Sequence, residues 1–273
     1  MKKLLGLLVI TTLSINAMAQ RQLTKIWQTD SVINMPESVL YDAKSGLLYV
    51  AVMGNSSDAK DGIGSIGKLG LDGKIIDLEW VNGLNAPKGM AIYGDKMYVA
   101  DITDVLIIDI PSAKVEKTLP VEGAAFLNDV TVDDNGVVYI SDSKTKKIHR
   151  LLNGKIEGYM EEMEGINGLK AVGDNLYVAG GKNLLRADAK KGLIKVAGLP
   201  QGGDGIEPVG NGDFIFSSWP GYIYYVYADG KHDVLLETYK EKINSADIGY
   251  DPVKKIVYVP TFFKKSVVAY QLK

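Results

Sequence analysis

The chain has 273 residues, a formal charge of −2, 30 glycines, 15 tyrosines and no cysteine. Acidic and basic residues are interspersed without a cationic stripe, which argues against nucleic acid as a partner. Without cysteine there is no disulfide, no thiolate chemistry and no lipoprotein anchor, so a packed core must supply the stability.

Residues 1–19 read as a cleavable signal peptide. Lys2 and Lys3 form a basic start, Leu4 to Ile10 an apolar run, and Ala17-Met18-Ala19 a small-residue cleavage signature. The apolar run is too short to span a membrane. The expected mature protein is residues 20–273, exported to a bacterial periplasm or beyond, with no membrane anchor.

Leu23 to Gln28 alternates apolar and polar residues, a lone strand with no partner beside it. Glu37 to Asp42, the turn at Ala43 to Gly46, and Leu47 to Val52 then read as a hairpin, followed by two strands flanking Asp72-Gly73. A second unit begins with Gly89 to Tyr93 and Met97 to Ala100. The third carries Asn135-Gly136 and Asn153-Gly154 between alternating strands, a strong hairpin signal because a type I′ turn needs two positive φ angles. The fourth starts at Asn167, and the fifth at Asp204 with turns at Asn211-Gly212 and Asp229-Gly230. The sixth holds Asp247 to Asp251, Ile256 to Val259 and Ser266 to Gln271, one strand short of the others.

A period near 40 residues with about four strands per repeat is the pattern of a β-propeller. The orphan strand at Leu23 to Gln28 supplies what the last repeat lacks, which closes the ring and removes exposed edges. The expected fold is therefore all-β: a six-bladed β-propeller of four-stranded blades, the last completed by the N-terminal strand. Residues 20–273 are expected to form one domain.

Equivalent points recur at the start of each repeat: Glu37, Lys88, Asn128, Asn167, Asp204 and Ala246-Asp247. In a closed ring these positions point at one another across the axis. Asn and Asp also cap turns at strand entry. Against that reading stands the recurrence of oxygen-bearing side chains on separate blades. Two carboxylates and two amide carbonyls suit a hard divalent cation, and acids gathered on an axis are costly without a counter-charge.

Other patterns carry less. Gly62 to Lys68 matches a Gly-rich nucleotide loop, but strand and turn residues follow it instead of the helix that phosphate binding needs. No nucleotide is expected. His149 and His232 lie away from the repeat starts, which disfavours a serine triad, a His-ligated zinc or a histidine-dyad hydrolase. Asp58 to Asp61 reads as a solvated loop.

Met35-Pro-Glu37, Leu127-Asn128-Asp129, Gly165-Ile-Asn167-Gly-Leu169 and Gly203-Asp204-Gly205 follow one another at blade spacing. In that order they resemble the four motifs of the gluconolactonase, regucalcin and luciferin-regenerating-enzyme family, and the likeness extends over essentially the whole mature chain. The resemblance implies that Glu37, Asn167 and Asp204 hold a metal ion, that Asn128 lies near metal and substrate, and that Asp204 is the general base. Ala125 and Phe126 stand where that family often has an arginine, and Ser38-Val39-Leu40 where it usually has an aromatic residue. Lys88 and Asp247 are accordingly expected to line the substrate pocket, with Trp219 and Tyr222 as walls.

The function implied is an exported, metal-dependent hydrolase of a small lactone, ester or sugar-acid derivative. The cation expected first is calcium, with zinc, magnesium or manganese as alternatives. The reading from another class is a non-catalytic periplasmic propeller that binds a ligand or partner around a structural calcium ion.

Overall fold

The computed structural model describes residues 21–273, so the signal-peptide reading of residues 1–19 lies outside the described residues. Strand β1 (Leu23–Gln28) stands alone in sequence. Blade 1 is β2 (Pro36–Asp42), β3 (Leu47–Val52), β4 (Gly64–Gly70) and β5 (Ile75–Leu84). Blade 2 is β6 (Pro87–Tyr93), β7 (Lys96–Asp101), β8 (Asp104–Asp109) and β9 (Lys114–Pro120). Blade 3 is β10 (Leu127–Val132), β11 (Val138–Asp142), β12 (Lys147–Leu152) and β13 (Lys155–Met160). Blade 4 is β14 (Ile166–Val172), β15 (Asn175–Gly180), β16 (Asn183–Ala187) and β17 (Leu193–Gly198). Blade 5 is β18 (Ile206–Gly210), β19 (Asp213–Ser218), β20 (Tyr222–Val226) and β21 (His232–Glu237). Blade 6 is β22 (Gly249–Asp251), β23 (Ile256–Pro260) and β24 (Val267–Leu272), with β1 as its fourth strand.

The expected closure is present. β1 runs antiparallel to β24, with Leu23 opposite Leu272 and Gln28 opposite Val268. Trp27 reaches beyond its own blade: its indole N–H donates to the Leu71 carbonyl at 2.9 Å, and its ring packs beside Tyr258. The closing strand thus ties blade 6 to blade 1 as well as completing a sheet.

The core is distributed over the seams between blades. Tyr49, Ile66 and Val81 of blade 1 pack against Met90, Met97 and Leu106 of blade 2. Comparable clusters join blades 2 and 3, 3 and 4, 4 and 5, 5 and 6, and 6 and 1. Each blade buries its faces only against its neighbours, which is why no repeat is stable by itself.

Turn chemistry follows the sequence in two places and departs from it in one. Asn153-Gly154 and Asn211-Gly212 have positive φ at both residues, as a type I′ turn requires. At Asn135-Gly136 only the glycine is left-handed, because Asp133 accepts from the backbone of Asn135 and Val137 and holds a wider turn. The Gly62 to Lys68 run enters strand β4 and opens no helix.

The glycines beside the repeat starts answer to blade packing. A Cβ on Gly89 would overlap the Asp129 backbone of the next blade, one on Gly168 the Asp204 carbonyl, and one on Gly205 the backbone of Ile248. The inner strands approach so closely around the axis that only glycine fits at these points.

Candidate functional site

The inner strands carry their first residues to one end of the axis. There a cavity of about 180 Å³ is lined by Glu37, Lys88, Asn128, Asn167 and Asp204 together. Five blades contribute one side chain each, so five of the six repeat starts converge as their spacing predicts. Asp247 is not among them. It lines a second cavity of about 300 Å³ farther along the inner strands, with Ser38, Asp129, Lys170 and Glu207.

The reason is a one-residue offset. Ala246 holds the blade 6 position equivalent to Asn128, and Asp247 that of Asp129. Both aspartates clip neighbouring blades together. The Asp129 carboxylate accepts from the Leu169 backbone of blade 4 at 2.6 Å, and Asp247 accepts from the Ser38 hydroxyl of blade 1 at 2.6 Å. Lys170 and Glu207 form an ion pair at 2.8 Å beside them.

Each upper side chain is set by its local backbone. Pro36 opens β2, and Met35 before it takes a left-handed φ of 54° that delivers Glu37 to the axis. Asp101, at the end of β7, accepts from the backbone of Asn85 and Ala86 and so fixes the entry to Lys88. Asp142, at the end of β11, does the same for Ala125 and Phe126 ahead of Asn128. These strand-end aspartates cap the loops, leaving the side chains at the strand starts free for the cavity. Asn128 donates its amide N–H to the Ser143 hydroxyl at 3.1 Å. The Asp204 backbone is anchored to the Ser217 carbonyl at 2.8 Å.

Charge is crowded here. Glu37 and Asp204 are 6% and 3% exposed. Burial first, then the neighbouring Asp204 and Asp247 charges, pushes the Glu37 carboxyl well above the usual range, while Lys88 pulls it back. Burial and the Asp247 charge raise Asp204, against the lowering effect of a hydrogen bond from the Asn167 side chain. Lys88, 1% exposed, is pushed down by burial and drawn up by Glu37. Its ammonium donates to the Ala86 carbonyl at 3.0 Å and sits 4.4 Å from the centre of the Phe126 ring.

Two oxygens in this group have no partner: Glu37 Oε2 and Asn167 Oδ1 are buried without a hydrogen bond. Buried acceptors left alone carry a full desolvation cost. An all-oxygen set of Glu37, Asn167, Asp204 and Asn128 fits a hard divalent cation. Among the described residues no three His, Asp or Glu side chains gather as a ready metal site, so two carboxylates and two amides are the donors on offer.

The wall of the cavity is apolar. Met53, Phe126, Trp219 and Phe262 line it, with Ser57 as a further polar group. Trp219 stands where the sequence places a wall, whereas Tyr222 turns away into a stack with Tyr224 and Tyr239. Met53, Ser57 and Phe262 escaped sequence reasoning. A signal existed for two of them. Met53, Ile102, Ser143, Gly181, Trp219 and Phe262 all come just after the second strand of their blades, a second ring at the same repeat spacing. His149, on β12, is buried away from this cavity, and that burial pushes its imidazole down from the ordinary value.

No known protein-family model matches the chain, and no curated protein matches it in sequence. Solved structures do match in fold. A streptogramin B lyase superposes with a TM-score of 0.67 at 12% identity, over 93% of this chain and 98% of its own. A chain from a nidogen/laminin complex superposes with a TM-score of 0.66 at 15% identity, over 80% of this chain and 85% of its own. At such identities a shared architecture carries no shared chemistry. What the likeness and the sheet order establish together is that this chain is a six-bladed β-propeller, of the architecture seen in streptogramin B lyase.

Proposed function

We propose that the upper cavity is the active site of a gluconolactonase-like hydrolase that opens a small lactone or related ester with the aid of one divalent cation. The observation that carries this reading is the pair of unpartnered oxygens, Glu37 Oε2 and Asn167 Oδ1, gathered with Asp204 in one small cavity. Glu37, Asn167 and Asp204 hold the cation, calcium first, with zinc, magnesium or manganese as alternatives. When bound, the cation supplies Lewis-acid polarisation of the substrate carbonyl.

The chain's own groups do the rest. Asp204 takes a proton from a water molecule, whose oxygen forms the new bond to the carbonyl carbon. The ring C–O bond breaks, and the same proton passes from Asp204 to the departing oxygen. Asn167, beside the Asp204 carboxylate, favours its charged form. Asn128 meets the substrate side, and the Lys88 charge favours the negative charge that develops on the carbonyl oxygen. The proposal includes export to a periplasm or beyond, which rests on the sequence of residues 1–19.

A second reading is a binding propeller in which no bond is broken. The position of Lys88 favours it, because a resident ammonium beside Glu37 offsets part of the ring's negative charge without any catalytic ion. Turnover separates the two. Metal-free mature protein is given each divalent cation and a panel of lactones and esters. The hydrolase reading expects metal-dependent turnover that falls by about 10²–10⁴-fold in Asp204→Asn. Wild-type turnover in that variant overturns the role of Asp204, and binding without turnover leaves the second reading standing.

A further inference from the structure

The cavity is two-sided. Its floor is polar on blades 1 to 5 and apolar on blade 6, where Ala246 takes the place of a side chain with oxygen or nitrogen. The ring above it is apolar over a wider arc that includes blade 6. Trp219, Phe262, Met53 and Ile102 belong to blades 5, 6, 1 and 2, which are consecutive around the axis, whereas Ser143 and Gly181 belong to blades 3 and 4. Met53, Ala86, Ile102, Ala246 and Phe262 form one buried cluster, with Met35 packed against it. An apolar sector centred on blade 6 therefore faces the amides of blades 3 and 4, where the one apolar lining group, Phe126, lies under the Lys88 ammonium.

Backbone conformation gives a second, independent sign. Met35, Ile102 and Phe262 have φ of 54°, 60° and 49°. Large side chains, and a β-branched one above all, take this region only when their surroundings impose it. Phe262 lines the cavity, and Met35 and Ile102 belong to the packed cluster behind it. Phe262 opens a short 3-10 turn braced by Thr261, whose hydroxyl donates to the Ser266 carbonyl at 2.7 Å.

The rim is also exposed. Trp219 is 41% and Phe263 58% exposed, unusual for rings of this size. They meet edge to face, with ring centres 5.9 Å apart, and Phe262 meets Trp219 in the same way at 5.6 Å. The Trp219 backbone is fixed, since its carbonyl accepts from the Asn244 side chain at 3.0 Å. An aromatic shelf thus flanks the cavity on one side.

Resting on the hydrolase reading above, we infer that this sector selects the substrate: a lactone or ester bearing an apolar alkyl or aryl substituent, seated over blade 6 against Phe262 and Trp219. Its carbonyl lies toward Glu37, Asn167 and Asp204. A polyhydroxylated ring seated over blade 6 would press its hydroxyls on Phe262 and the Met53 thioether, which offer at most a weak acceptor, and each hydroxyl buried there would lose its water without adequate replacement.

The test is a series of γ-lactones with side chains of zero, two and four carbons, with a polyhydroxylated lactone as a further arm. It is run on the metal-loaded protein and on Trp219→Ala and Phe263→Ala. The Phe263 ring is exposed, so that variant folds even where loss of Trp219 is harmful. The expected result is that kcat/KM rises by about fourfold per methylene until the cavity is filled. The rise flattens in Trp219→Ala and is reduced in Phe263→Ala. A flat series, or a preference for the hydroxylated lactone, overturns the inference and leaves the hydrolase reading intact. Absence of turnover with every substrate overturns the hydrolase reading instead. The sector is then tested by titrating the four-carbon lactone against tryptophan fluorescence. A change that Trp219→Phe lacks supports the apolar site, and no change overturns it.

Discussion

The Asn167 side chain lies beside the Asp204 carboxylate and draws its titration down, while its own carbonyl oxygen is buried without a partner. These two neighbouring side chains, in one small cavity, are what the cation proposal rests on. The first prediction follows from that pair. Cation added to metal-free protein raises thermal stability, by about 2.7 kcal/mol at a hundredfold excess over the dissociation constant. The shift disappears in Glu37→Gln and in Asp204→Asn. Melts with chelator and with each divalent metal check it, and a shift that survives both substitutions places the ion elsewhere.

Lys88 occupies the same cavity as these oxygens and carries the charge a cation would bring. In Lys88→Met the site loses its repulsion toward a divalent ion, so binding tightens by an expected factor on the order of ten. The metal-free protein is at the same time less stable, because the buried Glu37 loses a favourable charge. Calorimetric titration reads the affinity; unchanged binding would show that Lys88 does not face the ion.

Gly168 stands where a Cβ would meet the Asp204 carbonyl. Gly168→Ala therefore strains the seam between blades 4 and 5 and costs about 1–3 kcal/mol. It also displaces Asp204, so the stabilisation by added cation weakens with it. Gly158, where an added Cβ would come no nearer than 4.0 Å to another atom, serves as the reference: Gly158→Ala should leave the cation response as in the wild type.

Trp27 joins the closing strand to the blade it lies beside. Trp27→Ala removes the contact with Tyr258 and the hydrogen bond to Leu71, a loss on the order of 3 kcal/mol. For a chain of this size that lowers Tm by roughly 6–12 °C. A change under about 2 °C would mean that the strand pairing of β1 with β24 closes the ring without help from the indole.

Asp142 answers to pH. Burial pushes its carboxyl up, but hydrogen bonds from Thr145, Ala125 and Lys144 outweigh that and hold it below its ordinary value. A depressed acid stabilises the fold above its unfolded pKa, near 4, and loses that contribution as pH falls through the folded value. Asp142→Asn is expected to cost about 1–3 kcal/mol at pH 7. The gap from wild type in urea melts then narrows as pH drops below about 4. A gap that stays constant with pH would assign the loss to shape alone.

Much of this is legible in the order of residues. Alternation, Asn-Gly turns and a repeat near 40 residues give blade number and strand count, and the orphan segment at Leu23–Gln28 gives the closure. Five of the six repeat starts meet in one cavity because equal spacing in a closed ring allows nothing else. Asp247 does not, since a single-residue offset moves a side chain one layer along the axis. Nearness to Trp219 in sequence puts Tyr222 on the expected wall, yet Trp219 lies in the turn while Tyr222 opens strand β20 and stacks on Tyr224, two residues on along the same strand face.

Local periodicity and turn chemistry were enough to set the repeat, the strands and the identity of the polar group at each strand start, since each of these depends on near neighbours in the chain. Which oxygens go unpartnered, which aspartates clip blades, and on which side of the axis the apolar residues gather were settled by packing in three dimensions. Those properties depend on distances between blades, and a chain specifies such distances only once six seams have packed and the ring has closed.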